Sequence, residues 1–289
     1  MGTLHLLVVL VALLTLSICA PAGSSKLIYN GHDALIGSFP TQVYIKINTH
    51  LGSSYCGGTL ITKNYILTAA HCMTFPELYS ATAYAGFVDV NQLDQAQERP
   101  ISDLIIHEDF NGTTGYNDIA LAELMLPFEY DDKTVKIGMI PKNDDALLQQ
   151  EFLLVSGWGF TNYTNNYETP IESQNLKFAR MRLPPVEACK DLKIRSPFDE
   201  RLEFCAIAGN GYPEDPNNIP RGALVGDSGG AAQVTISTHT YQVGVTSLSG
   251  RFETMFTSGL FSNYFTRISH YCSWIAEKLR QDVCVDVDV

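Results

Sequence analysis

The run Arg221-Gly-Ala-Leu-Val-Gly-Asp-Ser-Gly-Gly-Ala231 sets a serine inside a glycine-rich turn. A serine hydroxyl is a weak nucleophile at neutral pH, so Ser228 needs a base beside it and donors for the oxyanion its attack creates. Such a turn can aim two main-chain N–H groups, those of Gly226 and Ser228, into one small cavity. Asp227, between them, needs a buried cation, because an unpaired carboxylate taken out of water is costly. Two residues upstream fit the same chemistry. His71, in Leu67-Thr-Ala-Ala-His-Cys72, can act as the base, and Asp118, in Tyr116-Asn-Asp-Ile-Ala-Leu121, can orient its imidazole. Each alone has a plainer use, His71 as a hydrogen-bonded core histidine and Asp118 as a turn or helix cap. The other histidines beyond residue 22 (32, 50, 107, 239 and 270) sit in no ligand spacing, so neither a metal nor another cofactor is expected.

The three residues run His, Asp, Ser along the chain, one of several orders in which this constellation occurs. With TAAHC, NDIAL and GDSGG together, the sequence resembles the trypsin/chymotrypsin family of serine peptidases from about Ile28 to near Leu279. The resemblance implies an all-β fold of two packed six-stranded antiparallel barrels with a C-terminal helix. It also implies a secreted endopeptidase, made as a zymogen and monomeric, with protein or peptide substrates and protein protease inhibitors as partners. In that reading His71 takes the Ser228 proton and returns it to the leaving amine, while Asp118 holds the imidazole tautomer. Gly226 and Ser228 N–H groups receive the oxyanion. Ile28-Tyr-Asn-Gly31 resembles the family's mature N-terminus, whose freed α-ammonium pairs with the aspartate before the nucleophile, here Asp227. A cut before Ile28 would follow Leu27, whereas a cut after Lys26 would leave Leu27 first; Ile28 is the favoured terminus and Leu27 the alternative. The competing reading is a non-enzymatic homologue that binds other molecules through the same barrels.

By the same resemblance Gly222 lies at the pocket floor, followed by Ala223, so the carboxylate that selects Lys and Arg is absent there. Ser247-Leu-Ser249 matches the edge strand that pairs with substrate backbone, with Leu248 and Ser249 replacing commoner tryptophan and glycine, and Asn263 aligns with the back wall. This pattern resembles arthropod collagenolytic and insect digestive serine peptidases and implies apolar, aromatic or broad primary specificity. Leu224 stands where the family has a bridging cysteine, which leaves the pocket wall free to move. Ala231 replaces a proline.

The elements that must position these groups read mostly as strands. Residues 41–47 alternate Val43, Ile45 and Ile47 against Gln42, Tyr44 and Lys46, the period of a half-buried strand. Residues 53–60, 65–70, 152–159 and 241–247 read likewise, and many short strands between turns indicate barrels. Residues 267–281 read as the one clear helix, with Ile268, Cys272, Ile275 and Leu279 on one face. The tail, 282–289, alternates acid and valine and reads as loosely packed.

Residues 4–16 form an apolar run too short to span a bilayer comfortably, and Ala20-Pro-Ala22 fits a cleavage signal. Residues 1–22 therefore read as a secretory signal peptide, 23–27 as a short activation segment and 28–281 as the peptidase domain. Of seven cysteines, Cys19 leaves with the signal, and six remain in a secreted chain. Cys56 with Cys72 and Cys189 with Cys205 resemble family disulfides. Cys272 and Cys284 would be separated by roughly 18 Å along a straight helix, so a bridge requires the tail to fold back; an intermolecular bond is the alternative. The formal net charge of −12 lies wholly beyond the signal, which argues against nucleic acid or an anionic membrane as partner. Asn111 and Asn162 head glycosylation sequons.

Overall fold

The computed structural model describes residues 28, 31–131, 133–163, 170–192, 197–208, 221–249 and 261–288. The expected signal peptide and the activation segment lie outside them, as do the alternative terminus Leu27 and part of the Asn162 sequon.

Six strands form the first barrel: β1 (Gln42–Thr49), β2 (Gly52–Leu60), β3 (Tyr65–Thr68), β4 (Leu78–Ala85), β5 (Gln97–Ile106) and β6 (Ala120–Leu124). They close in the order β1-β2-β3-β6-β5-β4, with β4 pairing back onto β1. Along β1 the apolar positions Val43, Ile45 and Ile47 are fully buried in the interior, as alternation requires. The second barrel is built from β7 (Phe152–Gly157), β8 (Lys177–Arg182), β9 (Glu203–Ala208), β10 (Ala231–Ile236), β11 (His239–Ser249) and β12 (Phe261–Arg267). Its order is β8-β9-β12-β11-β10-β7, and β7 pairs with β8 to close it. The two-residue strand His32–Asp33 adds to the edge of β8. Each barrel has its own apolar core, and closure leaves few open sheet edges.

Hydrogen bonds tie the barrels together where the site lies. Gly57 N–H donates to the Ser228 carbonyl at 2.7 Å, and the Ser156 hydroxyl donates to Gln42 Oε1 at 2.9 Å.

The C-terminal helix is shorter than the periodicity indicates. Arg267 ends β12, a 3₁₀ turn covers Ile268–Tyr271, and the α-helix runs Cys272–Leu279. Arg267 stays extended because its N–H donates to Leu202 O at 2.8 Å and its Nε donates to buried Asp144 Oδ1 at 2.9 Å. The other end stops at Arg280, whose left-handed φ of 52° turns the chain back. That reversal brings Cys284 to Cys272 in a disulfide within the chain, beside Cys56–Cys72 and Cys189–Cys205. The tail is correspondingly docked, not loose. Cys284–Val285 pairs in parallel with Ile140–Pro141, and Asp288 N–H donates to the Tyr241 hydroxyl at 3.1 Å. No helix among the described residues is long and apolar enough to cross a membrane.

Candidate active site

His71 sits in the helical turn Ala70–Met73 that follows β3, and Asp118 lies just before β6. Antiparallel pairing of β3 with β6 sets these two chain segments side by side. The Asp118 carboxylate grips His71 twice: Oδ2 lies 2.7 Å from Nδ1, and Oδ1 accepts the His71 N–H at 2.9 Å. Ser247 donates its hydroxyl to Oδ2 at 2.5 Å, and the Thr266 hydroxyl donates to the Asp118 carbonyl at 2.9 Å. Asp118 is 2 % exposed. Burial alone would raise its carboxyl, but the hydrogen bonds from His71 and Ser247 prevail and hold it below the ordinary value. With Nδ1 held on Asp118, Nε2 is the ring nitrogen left to accept a proton; it lies 3.8 Å from Cys72 Sγ.

Ser247, in β11, turns its side chain to Asp118, a contact that its reading as part of the substrate edge strand does not include. Thr266 carries no sequence signal, since an isolated threonine in a strand looks like any other.

The nucleophile turn meets the histidine segment from the other barrel. Gly229 has φ +80°, and a Cβ there would lie 2.2 Å from Thr68 Oγ1 and 3.1 Å from the Ala69 nitrogen. Only glycine permits this approach, two residues ahead of His71. Gly229 N–H donates to Thr246 O at 2.8 Å and Thr246 N–H to Gly230 O at 2.9 Å, which sews the turn to β11. Ser228 is half-buried, next to the glycine that makes this approach. No hydrogen bond joins its hydroxyl to His71, a looseness common before substrate binds.

Phe160 N–H donates to the Val225 carbonyl at 2.8 Å. In a trans peptide the N–H points opposite the carbonyl, so Gly226 N–H projects away from Phe160. Neither Gly226 N–H nor Ser228 N–H has an acceptor among the described residues.

Asp227 is 1 % exposed; its Oδ1 accepts Gly159 N–H at 2.7 Å and its Oδ2 accepts Leu224 N–H at 2.9 Å. Among the described residues no cation pairs with it. Burial pushes its carboxyl up to about 7, against the two N–H bonds that oppose the rise. The expected ammonium belongs to a chain cut before Ile28; in the uncut chain the Ile28 nitrogen is a peptide nitrogen. Ile28 is nevertheless fully buried, in the same apolar cluster as Leu224, with φ +42°. A β-branched residue is strained in that region.

Gly222 and Ala223 are buried, and the fully buried Asn263 amide both accepts Ala223 N–H (2.9 Å) and donates to Ala223 O (2.8 Å). Leu248 is partly exposed; Ser249 ends β11, and the loop that follows lies outside the described residues. Asn111 is exposed, with its Oδ1 accepting Thr113 N–H at 2.9 Å. Cys56, His71 and Cys72 have metal-like spacing, but both sulfurs are spent in the disulfide. A cavity of about 810 Å³, lined by Leu148, Leu183, Phe198 and Phe204, includes none of His71, Asp118, Asp227, Ser228 or Asn263. Chemistry follows the cleft at His71, where the hydrogen-bonded groups converge.

Two closed antiparallel barrels with an Asp-held histidine and a glycine-flanked serine between them define the chymotrypsin-like class of fold. The Trypsin family model matches residues 28–275, and the chain belongs to that family of serine peptidases. It is 30 % identical to chymotrypsin-C of Bos taurus over 266 residues, covering 89 % of this chain and 90 % of the relative. It is 29 % identical to chymotrypsin-C of Mus musculus over 265 residues, covering 90 % and 91 %.

Proposed function

We propose that this chain is a secreted serine endopeptidase that acts through Ser228, His71 and Asp118. Ser228 Oγ attacks the scissile carbonyl as its proton passes to His71 Nε2; the proton then goes to the leaving amine, and water hydrolyses the acyl-enzyme by the same route. Asp118 holds the tautomer and stabilises the imidazolium. The observation that carries the reading is the double hold of Asp118 on His71, at 2.7 and 2.9 Å, in a cleft bordered by the Ser228 turn. The two N–H groups of Gly226 and Ser228 that lack acceptors among the described residues support an oxyanion role for them.

Residues 1–22 serve as signal peptide and 23–27 as activation segment; cutting before Ile28 supplies the ammonium that Asp227 needs, in a peptidase domain of 28–281 with the tail 282–289. Gly222 places no carboxylate at the pocket floor, and Asn263 spends its amide on Ala223, which favours apolar, aromatic or broad primary specificity over Lys and Arg. Asn111 and Asn162 are glycan acceptors. A non-enzymatic binding role is the second reading, favoured by the unmade Ser228–His71 hydrogen bond and by Leu224 in place of a bridging cysteine.

A fluorophosphonate probe applied to the secreted, cut protein separates the two: the enzyme is labelled at Ser228, and the binding protein is not. Ser228→Ala abolishes peptide hydrolysis and leaves secretion unchanged.

A further inference from the structure

Gly226, one of the two proposed oxyanion donors, is packed between a ring and a backbone. It has φ +94°, and a Cβ there would lie 2.4 Å from Tyr55 Cε2 and 2.9 Å from Gly159 Cα. Tyr55 belongs to β2, next to Cys56. Its ring stacks on Tyr44 (centroids 5.4 Å apart, 21° between planes), and Tyr44 meets Trp158 edge-on at 5.6 Å. Trp158 in turn stacks on Phe87 at 4.8 Å and donates its Nε1–H to Val88 O at 2.8 Å. The residue after Trp158 is Gly159. Both walls of Gly226 therefore belong to one aromatic block whose members brace each other.

We propose that Tyr55 is a positioning residue that keeps the Val225–Gly226 peptide from turning over and so preserves one of the two oxyanion donors; the inference rests on the peptidase reading above. The peptide is held from one side by Phe160 N–H on the Val225 carbonyl, while Val225 itself is 57 % exposed. A single hydrogen bond at a half-exposed turn is easily exchanged for water. Rotation of the peptide plane would swing the Gly226 N–H out of the cleft, and this rotation needs space beside Gly226. The Tyr55 ring fills that space. The ring, not the hydroxyl, does this: Tyr55 Oη is buried without a hydrogen-bond partner among the described residues. Burial, with Glu172 and Asp227 nearby, also pushes the phenol well above its ordinary value, so it stays neutral.

The test compares Tyr55→Ala, Tyr55→Leu and Tyr55→Phe in the cut protein, with concentrations set by fluorophosphonate titration. Kinetics on a peptide substrate are paired with inhibition by a peptide boronic acid, which forms a tetrahedral adduct on Ser228, and by a product peptide, which does not. Tyr55→Ala lowers kcat by ~10- to 100-fold, part of the ~10²–10³ that a whole oxyanion donor contributes. KM stays within about threefold, the mark of an interaction made in the transition state. Boronate affinity weakens in step with kcat while product affinity holds, and Tyr55→Phe restores both. Tyr55→Leu keeps the strand's bulk but not the planar wall; it shows the same pattern and stands in if the alanine variant does not fold. A wild type inert to fluorophosphonate sinks the peptidase reading and this inference with it. A labelled, active wild type beside Tyr55→Leu or Tyr55→Ala with unchanged kcat, or with boronate and product affinity falling together, overturns the role of Tyr55 alone.

Discussion

Asp227 is the group whose surroundings would change most under the proposed cut before Ile28. In the uncut chain its carboxyl is 1 % exposed, has only the N–H groups of Gly159 and Leu224 among the described residues, and is pushed up to about 7. In the unfolded chain it titrates near the ordinary aspartate value of 3.8. Between those values the folded state holds a proton that the unfolded state has released. Unfolding then liberates a proton, so stability falls as pH rises from about 4 to about 7 and levels off above. A rise of that size costs the fold about 4 kcal/mol at most, which for a chain of this length corresponds to a Tm lower by roughly 8–16 °C. Relaxation around the carboxylate will reduce this, so a loss of half that size is the working expectation. Asp227→Asn in the uncut protein keeps the side chain's shape and removes the titration. The assay is thermal unfolding of both uncut proteins from pH 4 to pH 8. The Asp227→Asn variant, whose NH2 cannot accept one of the two N–H groups, starts below the wild type at pH 4 and gains on it as pH rises. If the proposed activation holds, cutting before Ile28 removes the wild type's disadvantage, since an ammonium paired with the carboxylate would draw it back below its raised value. A wild type whose Tm runs parallel to that of the Asp227→Asn variant throughout would refute the reasoning, and so would a cut protein that keeps the same decline.

Two further outcomes follow from packing. Gly229→Ala places a Cβ 2.4 Å from the Gly57 carbonyl oxygen at φ +80°. It lowers stability by roughly 2–5 kcal/mol through backbone strain and overpacking, and a urea midpoint equal to wild type would contradict the inter-barrel contact. Replacing Cys272 and Cys284 together by alanine opens a cross-link with a sequence separation of 12. This removes about 3 kcal/mol and frees the tail from Ile140–Pro141; hydrogen exchange at 140–142 rises selectively, and unchanged protection there means the tail docks without the bridge.

The groups whose chemistry dictates their residue type are legible in the chain before folding. No other side chain does the work of a histidine base or of glycine at φ +80°, so His71 and the Ser228 turn announce themselves. The hydroxyls that serve Asp118 do not. Ser247 and Thr266 come from β11 and β12, and only their register against each other, with Val245 opposite Thr266, brings both toward Asp118. The strand framework is readable from alternation in β1, whereas the helix start is misplaced because Arg267 answers to Asp144, 123 residues away in sequence. Valine alternating with acid suggests a loose tail for the same reason: the strand it joins, Ile140–Pro141, is too short to carry a periodic signal.

Leu224 shows how the fold manages without a bridge the family commonly has. The sequence leaves this residue unlinked, which suggests a mobile pocket wall. In the fold, Leu224 is 4 % exposed and packs in the apolar cluster that also holds Ile28 and Phe265. Its N–H is one of the two groups that hold Asp227, and the residue before it is clasped on both sides of its peptide by Asn263. A disulfide would act chiefly on the unfolded chain, whereas these contacts act on the native one and share residues with the N-terminal segment. Ile28 and Leu224 lie in that one apolar cluster, so the segment from Gly222 to Asp227 and the chain at residue 28 draw on the same core with no covalent link between them.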